Sequence, residues 1–207
     1  MEDRKSITIG NRTAWLCLAL SCLAAGTAHT AKRKKALPPP SLEQTFAPGK
    51  LKEDVKVLRQ ALEGGHPGLY LFTEKEDFDR HFEQVEKAFD RQMTLREFYL
   101  EVAPLVEKVY CGHTYFDLPQ KLLNSLLKEA PQFPLPLIFL NKKAYLDHAG
   151  LELPLGSEIT AINGISMKDV MERLLHQVRS DGYNATMKYH ILTDDFGLRH
   201  FLSFGQK

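Results

Sequence analysis

Apolar residues recur every three or four positions through the first half of the chain, the spacing of one buried helix face. Leu51, Val55, Leu58 and Leu62 line such a face and predict a helix over 50–63, ended by Gly64-Gly65. Thr73-Glu74-Lys75-Glu76 has the form of a capping box and opens a second helix, with Phe78, Phe82, Val85 and Phe89 inside. Thr94-Leu95-Arg96-Glu97 repeats that signal, with Met93 and Phe98 spaced as a hydrophobic staple. The third helix then carries Phe98, Val102, Leu105, Val106 and Val109, and Pro104 is expected to kink it. A fourth helix is predicted from Pro119 to Glu129, with Leu122, Leu123, Leu126 and Leu127 facing in.

Pro131, Pro134 and Pro136 mark a change of period. Leu137-Ile138-Phe139-Leu140 and Ala144-Tyr145-Leu146 read as a hairpin across Asn141-Lys142-Lys143. Glu158-Ile159-Thr160-Ala161-Ile162 alternates polar and apolar residues, and Asn163-Gly164 supplies a tight turn that tolerates positive φ. Ser166 is placed to cap a short helix bearing Val170, Leu174, Leu175 and Val178. Met187 to Leu192 and Leu198 to Phe204 read as closing strands around Thr193-Asp194-Asp195-Phe196-Gly197. Helices followed by strands make the expected fold class α+β, with a helical unit over 50–130 and a small β-rich domain over 131–207.

Composition changes this picture mainly at the N-terminus. Arg4, Lys5 and Arg12 precede the apolar run Ala14 to Ala25, and Gly26-Thr27-Ala28 fits a cleavage site, so 1–31 reads as an export signal. The expected location is periplasmic or extracellular. Lys32-Arg33-Lys34-Lys35 runs against that reading, because positive charge after an apolar run opposes translocation. Lipidation of Cys22 is an alternative route to a membrane anchor, although Ala19-Leu20-Ser21 matches a lipobox poorly. Residues 32–49, with Pro38-Pro39-Pro40 and Pro48-Gly49, read as an extended linker. Loss of the signal would leave Cys111 as the lone thiol, with no intrachain disulfide. The net charge of +1 on 207 residues, without a basic stripe interleaved with aromatics, argues against nucleic acid as a partner.

Four segments together resemble one enzyme group. Leu155-Gly156-Ser157-Glu158-Ile159-Thr160-Ala161-Ile162-Asn163-Gly164-Ile165 resembles the Gly-x-x-Ile-x-x-Ile-Asn-Gly core of PDZ domains. His66-Pro67-Gly68-Leu69-Tyr70, Gly112-His113-Thr114 and Asp181-Gly182-Tyr183-Asn184-Ala185-Thr186 resemble segments that tail-specific (carboxy-terminal processing) serine peptidases and their tricorn-type relatives carry in the same order. The likeness spans about Leu51 to Lys207. It implies that 131–207 is a PDZ-like domain. It also implies that His113 is a general base toward a serine on a later domain, with Thr114 setting local geometry. A PDZ-like unit docks an extended peptide end by strand addition. Leu153, Pro154, Leu155 and Gly156 would then meet the terminal carboxylate, and Val170, Leu174 and Leu175 would wall the groove or simply pack the core.

The nucleophile is the departure from the family pattern. Ser125, Ser157, Ser166, Ser180 and Ser203 all lie outside a Gly- and Ser-rich turn, and no lysine matches the family's catalytic one. The sequence therefore reads as the non-nucleophile-bearing, N-terminal portion of such a peptidase, inactive alone. Its expected partners are peptide or protein C-termini and a serine-bearing catalytic domain in cis or in trans. A second reading is a stand-alone exported peptide-binding or scaffold protein.

Three plainer readings stand beside these. His113 is also explained as a helix-terminal residue bonded to backbone, and His66 as a turn residue bonded to backbone beside a packed Tyr70. Cys111 offers a thiol nucleophile only if it meets His113, and side chains at i and i+2 tend to diverge. The eight histidines form no HExxH or paired-ligand spacing, so neither metal nor cofactor is expected.

Overall fold

The computed structural model describes residues 40–205. The signal-like segment, Cys17, Cys22 and residues 32–39 of the linker stretch lie outside the described residues. Helix α1 spans Pro48–Gly65, with proline in its first turn, where a missing N–H costs nothing. It runs through Gly64 and Gly65 and ends at His66, whose N–H donates to the Leu62 carbonyl at 2.9 Å. Helix α2 spans Lys75–Ala88, and α3 spans Leu95–Glu107. Their inward faces form one cluster with α1: Leu51, Val55, Phe78, Phe82, Val102 and Val106 are all buried there.

The two predicted capping boxes have different fates. Thr94 caps α3 as expected: its Oγ1 accepts from the Glu97 N–H at 3.1 Å, and Glu97 Oε2 accepts from the Thr94 N–H at 2.7 Å. Thr73 caps nothing. Helix α2 has Glu74 at its cap with no side-chain bond, because the Thr73 hydroxyl donates to the Lys108 carbonyl at 2.7 Å. A tertiary acceptor has outcompeted the local one. The Arg91 guanidinium and the Thr94 N–H hold the Glu97 carboxyl down at about 2. A carboxyl depressed by folding adds stability that is present above its unfolded value, about 4.3, and lost as pH falls toward 2. Thr94→Ala should therefore cost about 1 kcal/mol. Glu97→Gln should narrow the difference between urea midpoints measured near pH 6 and near pH 3.

The end of the linker segment is not loose. Leu42 is buried, and strand β1, Thr45–Phe46, pairs antiparallel with β2, Met93–Thr94. The Leu95 N–H donates to the Gln44 carbonyl at 2.8 Å, tying this strand to the start of α3. Helix α4, Gln120–Glu129, forms close to the predicted range but buries only Leu122, while Leu127 is 53% exposed.

Strands β3, Leu137–Leu140, and β4, Lys143–Leu146, form the predicted hairpin. Asn141 and Lys142 both take positive φ, 50° and 64°, which a two-residue primed turn requires. The expected single strand over 158–162 is broken in two. β5, Glu158–Ile159, joins β4, giving the order β3-β4-β5, and β6, Ala161–Ile162, pairs with β7, Ile165–Ser166, across Asn163-Gly164. Ser166 caps α5, Met167–Leu175, as expected, accepting from the Asp169 N–H at 3.1 Å.

The largest correction is the C-terminal segment. Residues expected as two closing strands form one helix, α6, Ala185–Phe204, capped by Asn184, whose Oδ1 accepts from the Met187 N–H at 3.0 Å. Leu192 and Phe196 pack under the hairpin and α5, whereas Leu198, Phe201 and Leu202 pack with Tyr99 and Ala103 of α3 and Leu122 of α4. A helix covered on several sides has no narrow apolar stripe, so its sequence lacks a clean helical period. Arg96 of α3 secures the junction, donating to the Phe201 carbonyl at 2.8 Å and lying 4.8 Å from the centre of its ring. The fold is mixed helix and small antiparallel sheet, of α+β class, and the described residues belong to one compact unit, Pro38–Lys207.

Candidate functional site

The backbone leaves α3 under strain. Lys108, Val109 and Tyr110 wind on in tight turns, and Tyr110 takes φ of +50°. That region costs a non-glycine residue roughly 1–2 kcal/mol, so other contacts must hold it. They come from 180–183. The Gly182 N–H donates to the Tyr110 carbonyl at 2.9 Å. The Tyr183 hydroxyl donates to the Phe72 carbonyl at 2.9 Å. The rings of Phe72, Tyr110 and Tyr183 meet edge to face, with centroids 5.1–6.3 Å apart. Burial, with help from the negative charge of Glu107, raises the Tyr110 phenol above its ordinary value.

Two glycines make this approach possible. Asp181 Oδ1 accepts from the Gly112 N–H at 2.6 Å, and a Cβ on Gly112 would lie 2.6–2.9 Å from that carboxylate. Gly182 takes φ of +58°, and a Cβ there would press on the Phe72 ring at 3.0 Å. Buried Ser180 steadies the turn, its hydroxyl donating to the Gly182 carbonyl at 2.7 Å.

The result is an open cleft of about 640 Å³. Three of the four segments noted in the sequence line it: His66-Pro67-Gly68, Cys111 with His113-Thr114, and Asp181-Gly182. His113 is exposed on its wall, and the Thr114 N–H closes a turn onto the Cys111 carbonyl at 3.0 Å. Cys111 and His113 do not diverge as their spacing suggested. Their donor atoms, together with a carboxylate oxygen of Asp181, lie within 4.8 Å of one another, because the turn at Gly112 folds both toward 181. His66 behaves as the plainer reading held: its Nδ1 accepts from the Gly68 N–H at 3.3 Å. Tyr70 sits edge-on to Phe78 at 6.2 Å.

Beside the Tyr110 ring lies a charge pair that no sequence motif marks. Glu107 is buried at the end of α3 and pairs with Lys188 of α6, whose ammonium also donates to the Leu175 carbonyl at 3.2 Å. The same ammonium lies 5.7 Å from the centre of the Tyr110 ring. Nothing in the local pattern of either helix announces this pair, 81 positions apart.

The fourth segment lies elsewhere. Leu153, Pro154, Leu155 and Gly156 are exposed, but the Gly156 N–H is committed to the Leu146 carbonyl at 2.9 Å and the Ser157 N–H to Pro154 at 3.1 Å. Val170 and Leu174 have no exposed surface and belong to the core around Phe139 and Leu192, so they do not wall a groove. A cleft of about 350 Å³ does run beside α5, lined by Met171, Leu175 and Tyr189 together with Lys142, Lys168, Glu172, His176 and Lys188. The chain matches no family model and no curated protein. Among the described residues no helix is long and apolar enough to cross a membrane.

Proposed function

We propose that this chain is the substrate-docking, general-base portion of a tail-specific serine peptidase-like protein, with its nucleophile supplied by a serine-bearing domain in cis or in trans. One observation carries the reading: His66-Pro67, His113-Thr114 and Asp181-Gly182, far apart in sequence, line one open cleft, and His113 is exposed there. An imidazole that accepts a proton near neutrality is the group such chemistry needs. The cleft leaves it accessible to a second domain. The signal-like N-terminus supports action outside the cytoplasm.

The PDZ-like part of the proposal concerns docking. Beside α5, apolar Met171, Leu175 and Tyr189 would receive the last side chain of a peptide, and Lys142 and Lys168 would face its carboxylate. The test is fluorescence anisotropy with apolar-tailed peptides bearing either a free or an amidated C-terminus. Binding of the free acid, weakened about tenfold or more by amidation and by Lys168→Glu, supports docking; equal binding of both forms sinks it.

Catalysis is tested separately. The chain alone should not turn over a fluorogenic peptide. Turnover by the chain alone that His113→Ala abolishes would overturn the requirement for an outside nucleophile. Coding DNA read past codon 207 adds a direct check. A continuing or adjacent frame encoding a Gly- and Ser-rich nucleophile turn supports the reading, and an unrelated neighbour favours the stand-alone peptide-binding protein.

A further inference from the structure

We propose that Cys111, His113 and Asp181 form a binding site for one divalent transition-metal ion of the zinc type. The donors are a sulfur, an imidazole nitrogen and a carboxylate oxygen, the three ligand chemistries that zinc takes from proteins. All three ligand atoms lie within 4.8 Å of one another. Around a tetrahedral ion with bonds of about 2.0–2.3 Å, neighbouring donors sit about 3.2–3.8 Å apart. Adjustments of about an ångström close that gap, and His113 and Asp181 are exposed and can make them.

The arrangement is more than a chance meeting of surface groups. Asp181 is aimed: its Oδ1 accepts from the Gly112 N–H at 2.6 Å, and one of its two oxygens belongs to the donor cluster. A hydrogen bond of this kind to a ligating carboxylate is what fixes metal ligands in place. Position 112 admits the carboxylate only because it lacks a Cβ. The Gly182-to-Tyr110 hydrogen bond and the Phe72–Tyr110–Tyr183 rings then clamp the two ligand-bearing segments together, 69 residues apart in sequence. The thiol selects against magnesium and calcium, which prefer oxygen. Three protein ligands opening onto a cleft leave a fourth position for water or a substrate oxygen, as in catalytic rather than structural zinc sites. The inference does not depend on the peptidase reading. It does constrain it, since a bound ion occupies the imidazole lone pair that a general base would use.

Cobalt(II) is the probe, added to the purified full-length chain under a phosphine reductant, with circular dichroism confirming the fold of each variant. The expected result is a saturable one-to-one thiolate-to-cobalt charge-transfer band, displaced by zinc. Cys111→Ser should abolish the band. Asp181→Asn and His113→Ala should each weaken cobalt binding about 10- to 100-fold, the range already seen for disturbing the groups that orient ligands. The His113 variant alters an exposed side chain and serves if Asp181→Asn fails to fold. No band in the folded wild type overturns the proposal. So does a band that survives in Cys111→Ser, which would place the ion on Cys17 or Cys22, and so does undiminished affinity in the folded His113→Ala protein.

Discussion

Phe82→Ala should lower the free energy of unfolding by about 3–5 kcal/mol. The side chain is fully buried where α1 meets α2, with the Phe78 ring 5.3 Å away, centre to centre. The Arg59 guanidinium lies 5.2 Å from the ring centre and is itself held by Glu63 at 2.9 Å and by Asp79. Truncation removes the transfer energy of the ring, leaves a cavity in an aromatic cluster that cannot collapse freely, and takes away the surface on which Arg59 rests. Urea unfolding followed by circular dichroism measures the loss. Leu127→Ala, at an exposed position on α4, is the control and should stay within about 0.5 kcal/mol of wild type. A Phe82→Ala protein that matched the control would mean that the three-helix cluster does not carry the fold.

Glu107→Leu should cost about 3 kcal/mol, and Lys188→Met added to it should restore much of the loss. The Glu107 side chain is only 2% exposed and that of Lys188 15%. Removing the carboxylate leaves an ammonium with the Leu175 carbonyl and an aromatic face, but no counter-charge. Stranding a buried charge is the expensive half of breaking such a pair; replacing both charges with apolar groups is often close to neutral. The pair is also imperfect. Glu107 Oε2 is buried without a hydrogen bond, with Lys108 Nζ 3.7 Å away. A double-mutant cycle in urea isolates the coupling. If Glu107→Leu alone proved neutral, the pair would be ornamental to stability.

How much of this was legible follows from where the information sits. Phe78 and Phe82 announced α2 because that helix buries one face, and a single face writes a clear period into the sequence. Thr94 and Glu97 announced a helix start because their bonds close within four residues. Thr73 carried the same local signature and was misread, since its hydroxyl found Lys108, 35 positions away. Helix α6 was misread for a related reason. Its segments around Leu192 and Phe201 face different neighbours, and short apolar runs flanking Gly197 look alike whether they are strands or buried helix. At the candidate site the segments containing Gly112 and Asp181 were picked out by resemblance. That the carboxylate lies on the glycine, and beside Cys111 and His113, follows only from the tertiary fold. The cleft beside α5 was similarly hidden: Leu175 reaches it while Val170 and Leu174, one helical face away, do not.

Helix α6 also decides what can be cut from this molecule. One end of it roofs the hairpin core and the other completes the wall of α3 and α4. A boundary drawn at 130–131 therefore parts α6 from the face of α3 and α4 that it covers. The 50–130 half expressed alone would keep its three-helix cluster but bare Tyr99, Ala103 and Leu122, the face that α6 covers, so melting of the unit should be cooperative from end to end. Any partner that grips α6 would be felt at once on α3, on α4 and in the hairpin.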